Sequence, residues 1–145
     1  MNRYAAASAV LGAAYLVMAA MALAGWSLGL GSGQEAPWGW LVRGDPGLSL
    51  VYATTAALLI GGVYYRDEGP KSLACLLVGA ALGVAAFAVE TLTSLALAAD
   101  AYLAGEVRGA VPPALEVVLG AASAPLLAAA LRSARGLTRA RRVEV

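Results

Sequence analysis

Any chemistry in this chain has to begin at Glu90, the one ionisable side chain inside an otherwise uncharged run from 72 to 99. An acidic group at the centre of a membrane helix costs roughly 2.5–3.5 kcal/mol, so it normally faces protein or water. Helical spacing predicts the same. At about 100° per residue, Gly79, Gly83, Ala86 and Glu90 share one stripe, flanked a turn later by Thr93 and Ser94. Small-residue stripes let a second helix approach closely. Two other segments offer polar stripes, Thr54 with Gly61 and Glu116 with Gly120 and Ser123. A buried carboxyl with no cation beside it is most stable carrying its proton, and the hydroxyl of Thr54 or Ser123 would accept that proton in a hydrogen bond. Glu90 then has two readings: an ion-coupling group lining a polar seam, or a protonated carboxyl that ties helices together. Interhelical hydrogen bonds commonly serve packing alone. Glu116 lies in the first turn after Pro113, where a carboxylate interacts favourably with the helix dipole and needs no further role.

The remaining residue types exclude more than they suggest. There is no histidine, which removes His-ligated haem, His-containing zinc or copper sites and Ser-His catalysis. The single cysteine, Cys75, allows neither an internal disulfide nor a Cys-based zinc site. Asp45, Asp67 and Asp100 fall at helix ends, so no intramembrane aspartyl pair is expected. No glycine-rich phosphate loop occurs. The chain is therefore expected to be a non-enzyme without metal or cofactor, a lipid-modifying membrane enzyme being the one catalytic class left open. A net charge of +1 gives no case for nucleic acid.

The elements that must position Glu90 follow from where charge is missing. Hydrophobic residues make up 61% of the 145 residues and charged residues 13%, about half the charged fraction of an average soluble domain. The stretches 4–34, 46–65, 72–89 and 117–131 carry no charge at all. Each is near or above the ~18–20 residues that cross a ~30 Å hydrocarbon layer. A soluble four-helix bundle would need a charged face on every helix. The fold class predicted is an all-α membrane protein, four transmembrane helices in an up-down bundle, at about 4–30, 48–65, 71–103 and 113–131. A basic tail, 132–145, is expected to fray or to lie on the membrane surface. The N-terminal apolar run resembles a secretory signal peptide ending at Ala22-Leu23-Ala24, but it extends from Tyr4 to Leu30, well beyond a 7–15-residue signal core. It reads as the first membrane helix.

Positive charge sets the orientation. One side of the membrane would carry Arg3, Arg66, Lys71, Arg132, Arg135, Arg139, Arg141 and Arg142, the other only Arg43 and Arg108. That bias predicts a plasma-membrane protein with both termini in the cytoplasm. Trp26, Trp38 and Trp40 fall towards one boundary and Tyr4, Tyr64 and Tyr65 towards the other, as interfacial aromatics do. The tail arginines Arg132, Arg135, Arg139, Arg141 and Arg142 could meet anionic headgroups at about 1 kcal/mol each, or simply record the topology.

A shift of 67 positions aligns Gly12-Ala13-Ala14 with Gly79-Ala80-Ala81, Pro46 with Pro113 and Leu59 with Leu126. Two tandem helical hairpins, parallel repeats about an axis along the membrane normal, would produce that match, and so would chance in an Ala-, Gly- and Leu-rich chain. The pairs Gly79/Gly83 and Gly25/Gly29 match the close-packing spacing of membrane helices. Asn and Gln each occur once, as Asn2 and Gln34, which fits a thermophilic source or a compositionally biased genome.

Two functions follow as expectations. Small-residue faces without chemistry predict a non-catalytic accessory subunit or self-associating scaffold, partnered by the bilayer and by copies of itself or other membrane subunits. The alternative is a small oligomeric proton- or cation-coupled transporter or channel that uses Glu90. A lipid- or quinone-binding groove beside Glu90 is a third reading that no residue specifically favours.

Overall fold

The computed structural model describes residues 2–28, 42, 44–105 and 114–143, with side chains described over 4–28, 42, 44–105 and 115–136. Among these the chain forms four helices: α1 Asn2–Ser27, α2 Pro46–Tyr64, α3 Gly69–Leu103 and α4 Ala114–Val143. Each contains a segment long and apolar enough to cross a membrane. The chain is a multi-pass, all-helical membrane protein.

The helix ends have local causes. Asp45 caps α2, its carboxylate accepting from the amides of Gly47 at 2.6 Å and Leu48 at 3.1 Å, while Pro46 takes a first-turn position whose N–H would be unpaired anyway. The turn between α2 and α3 is held by the Lys71–Glu68 ion pair and ends in Pro70 at the start of α3. At 19 residues α2 is about 28 Å long and just spans the hydrocarbon layer; α3, at 35 residues, is about 52 Å and must tilt or protrude. α4 does not stop near 131. It continues through Val143, so most of the basic segment, expected to fray or to lie on the membrane surface, is helix, since Ala, Leu and Arg are strong helix formers and arginine suits a helix C-terminus.

Packing is inverted relative to a water-soluble bundle. Val10, Leu16, Leu50, Val89, Leu92 and Leu95 point outward, whereas Ser8, Ser49, Ser72, Glu90, Glu116 and Ser123 are buried. Leucine outside and carboxyl inside is the arrangement a hydrocarbon solvent selects. The buried serines stitch neighbours together. Ser8 Oγ donates to the Leu59 carbonyl at 2.7 Å and Ser49 Oγ to that of Ala19 at 2.9 Å, both across α1–α2. Ser72 Oγ donates to the Gly62 carbonyl at 2.6 Å across α2–α3. α1 packs on α2, α2 on α3 and α3 on α4, and a smaller α1–α4 contact closes the ring. Leu11, Met18, Leu59, Ala80, Leu119 and Leu126 fill the centre.

The glycines proposed for helix packing are used inside this ring. Gly79 faces Leu58 and Leu59 of α2, Gly83 faces Ser123 of α4 and Tyr15 of α1, and Gly25 lies under Gly44. Gly29 lies outside the described residues. Gly12 and Gly79, which the 67-residue shift aligns, both face α2. A twofold pair of hairpins would set one against α2 and the other against α4, and would make the α1–α4 contact equal to α2–α3, which it is not.

Candidate functional site: a buried carboxyl–tyrosine cluster

Each helix sends one side chain of the cluster inward. α3 supplies Glu90, 21 residues and so about 32 Å from its Gly69 end. α4 supplies Glu116 from its first turn, α2 supplies Tyr52, and α1 supplies Tyr15. Glu90 is 6% exposed, Glu116 5% and Tyr52 2%. The four line one cavity of about 10 Å³, together with Met18, Gly83, Ala86 and Phe87. That is room for a single water-sized particle.

The polar atoms around this cavity are incompletely matched. Among the described residues, Glu90 Oε2 has no hydrogen-bond partner. The Tyr52 hydroxyl interacts with the Glu116 carboxyl. The Tyr15 and Tyr52 rings are tilted against each other with centroids 6.0 Å apart. Every described basic side chain, Arg66, Lys71, Arg132 and Arg135, is exposed. Two buried carboxyls facing a phenol therefore meet with none of those cations among them. The donor set is oxygen only, suited to a proton, a water or a hard cation. No group of three or more metal-ligating side chains occurs among the described residues.

Below this cavity, towards the Gly69 end, lies a second polar contact. Tyr15 Oη and Ser123 Oγ are 3.0 Å apart, and Ser123 also donates to the Leu119 carbonyl at 2.9 Å. Ser123 thus pairs with Tyr15 and its own helix, not with Glu90.

Thr54 is not the buried partner of Glu90 that the polar stripe predicts: it sits on the exposed face of α2, bonded to the Leu50 carbonyl of its own helix at 2.8 Å, because Tyr52 and Thr55 hold the inward positions. Thr93 likewise bonds within its helix, to Val89. Arg132 and Arg135 lie on the exposed continuation of α4; the side chains of Arg139, Arg141 and Arg142 lie outside the described residues. Glu116 occupies the helix-start position expected of it, and the bundle also turns it onto the Glu90 cavity.

Tyr15 and Tyr52 were not anticipated. The signal was present: both fall well inside uncharged runs rather than at a boundary, and a phenol that deep needs a partner for its hydroxyl. No protein-family model matches the chain, and no curated protein or solved structure is similar to it.

Proposed function

We propose that the chain is a small proton- or cation-coupled membrane transporter or channel in which Glu90 takes up and releases the coupling ion. One observation carries this reading: side chains from all four helices converge on a water-sized cavity at which, among the described residues, Glu90 Oε2 lacks a partner. A carboxyl kept only for packing would spend its hydrogen bonds on a neighbour, as Ser8, Ser49 and Ser72 do. Of the small-residue positions that would also suit a scaffold, Gly79 and Gly83 pack against neighbouring helices of the same chain.

Glu90 binds the ion, Tyr52 stands between it and Glu116, and Tyr15 links the cluster to Ser123. The cavity is too small to be a path in itself, so ion access to Glu90 requires the helices around it to part. The basic end, with both termini, faces the cytoplasm of the plasma membrane, in keeping with the eight-to-two distribution of positive charge. Purified chain in liposomes carrying a pH-sensitive dye tests the proposal, with Na⁺ and K⁺ gradients as separate arms. Flux that Glu90→Gln abolishes is the expected result. Absence of flux in all arms, or flux indifferent to Glu90→Gln, overturns it.

A further inference from the structure

At the opposite end of the bundle the helices stand apart and leave a second, much larger space. Its volume is about 700 Å³, within the ~300–1,000 Å³ typical of ligand pockets. All four helices contribute to it, and the reason it exists is local. Ala5, Gly62, Gly69 and Ala130 put little or no side chain into the gap. Pro125, one residue before the wall residue Leu126, leaves the Ala121 carbonyl without its helical donor.

The interior is apolar and its hydroxyls are spent. Leu73 and Leu76 of α3 face Leu126 and Ala130 of α4. Ser72 gives its proton to the Gly62 carbonyl at 2.6 Å and Ser133 to that of Ala129 at 3.1 Å. A polar solute would find no donor there, whereas a hydrocarbon chain needs none. Polarity returns only at the rim, with Tyr4, Arg66 and Asp67. Among the described residues, Arg66 is held there through Nε alone, 3.8 Å from an Asp67 carboxylate that is 91% exposed. So loose a surface pair is worth little, and the two terminal guanidinium nitrogens remain to grip a phosphate in a fork. Tyr64 and Tyr65 occupy the same end, Tyr65 under the Lys71 ammonium at 5.9 Å, where aromatic rings sit at headgroup level. Arg132 and Arg135 add exposed positive charge nearby.

We infer that this pocket binds one anionic phospholipid of the adjoining leaflet, its acyl chain between α3 and α4 and its phosphate on Arg66. The site is independent of Glu90 and stands whatever ion that carboxyl handles.

Native mass spectrometry of the full-length chain in mild detergent, titrated with phosphatidylglycerol or phosphatidylcholine, decides it. One phosphatidylglycerol per chain is expected to survive transfer, in preference to phosphatidylcholine. Arg66→Gln should weaken that binding about fivefold and erase the preference. Ala130→Trp should fill the pocket and abolish the bound lipid. If that variant fails to fold by circular dichroism, Ala5→Trp on the opposite wall carries the same test. Wild-type chain that binds both lipids equally, or a folded tryptophan variant that retains lipid as wild type does, overturns the inference.

Discussion

The hydroxyl oxygens of Tyr15 and Ser123 lie 3.0 Å apart although 108 positions separate them in the chain, and Gly83 of α3 is what allows the approach. A methyl group on that glycine would stand 2.7 Å from Ser123 Oγ and 2.8 Å from Tyr15 Oη. Three helices therefore meet at one hydrogen bond directly beneath the carboxyl cavity, and whatever disturbs that point disturbs the support of Tyr15 against Tyr52.

Gly83→Ala should destabilise the bundle by about 1–3 kcal/mol, the usual result of forcing a methyl group into a filled interior. Gly136→Ala is the control, since nothing lies within 4 Å of a Cβ there, and it should be neutral or stabilising by up to about 1 kcal/mol. Unfolding in mixed detergent micelles measures both. Equal midpoints for the two variants would mean that the three helices do not converge at Gly83.

Both buried tyrosines should lose stability with the hydroxyl. Tyr15→Phe gives up its bond to Ser123 and should cost about 0.6 kcal/mol, the average found for such bonds between membrane helices. Tyr52→Phe gives up its interaction with Glu116 and should lower the unfolding midpoint to a similar extent, while any Glu90-dependent flux should fall. An unchanged midpoint in Tyr52→Phe would show that its hydroxyl does not tie α2 to α4.

Thr54→Val should change neither stability nor flux. The hydroxyl faces outward and bonds only to Leu50 of its own turn, which leaves it nothing to offer Glu90. Altered flux in this variant would place Thr54 on the ion path and require a different rotation of α2.

Leu16→Lys probes the solvent. Leu16 is 54% exposed near the middle of α1, and a lysine at a membrane midplane costs roughly 2.5–3.5 kcal/mol on insertion scales. Reduced membrane insertion in a glycosylation-mapping assay is the expected outcome. A variant that inserts as well as wild type would argue that this face meets protein or water.

The positions of the helices were readable because lipid imposes a one-dimensional rule. A segment that crosses a hydrocarbon layer can carry almost no charge, so uncharged runs mark helices before any fold is known. The exit of α4 was less readable. Charge ends a membrane span but does not end a helix, and the arginine-rich continuation to Val143 follows backbone propensity rather than hydropathy. Glu90 was legible for the same reason as the helices: it breaks the charge-free pattern. Glu116 was legible both as a helix-start residue and as part of the polar stripe with Gly120 and Ser123 that could face Glu90, and the two roles occupy the same position.

What the sequence determined by itself is therefore the solvent, the number of crossings and the one carboxyl that does not belong in lipid. Tertiary structure decided which side chains share that carboxyl's cavity. Thr54 and Tyr52 are two residues apart on α2, about 200° around the helix, and either could have faced inward. Only the rotation of α2 against α1, fixed where Gly12 meets Ala56 and Leu59 and where Ser8 and Ser49 bond across the interface, turns Tyr52 in and Thr54 out. Hydropathy is nearly blind to rotation about a helix axis when every face is apolar, and close packing is not.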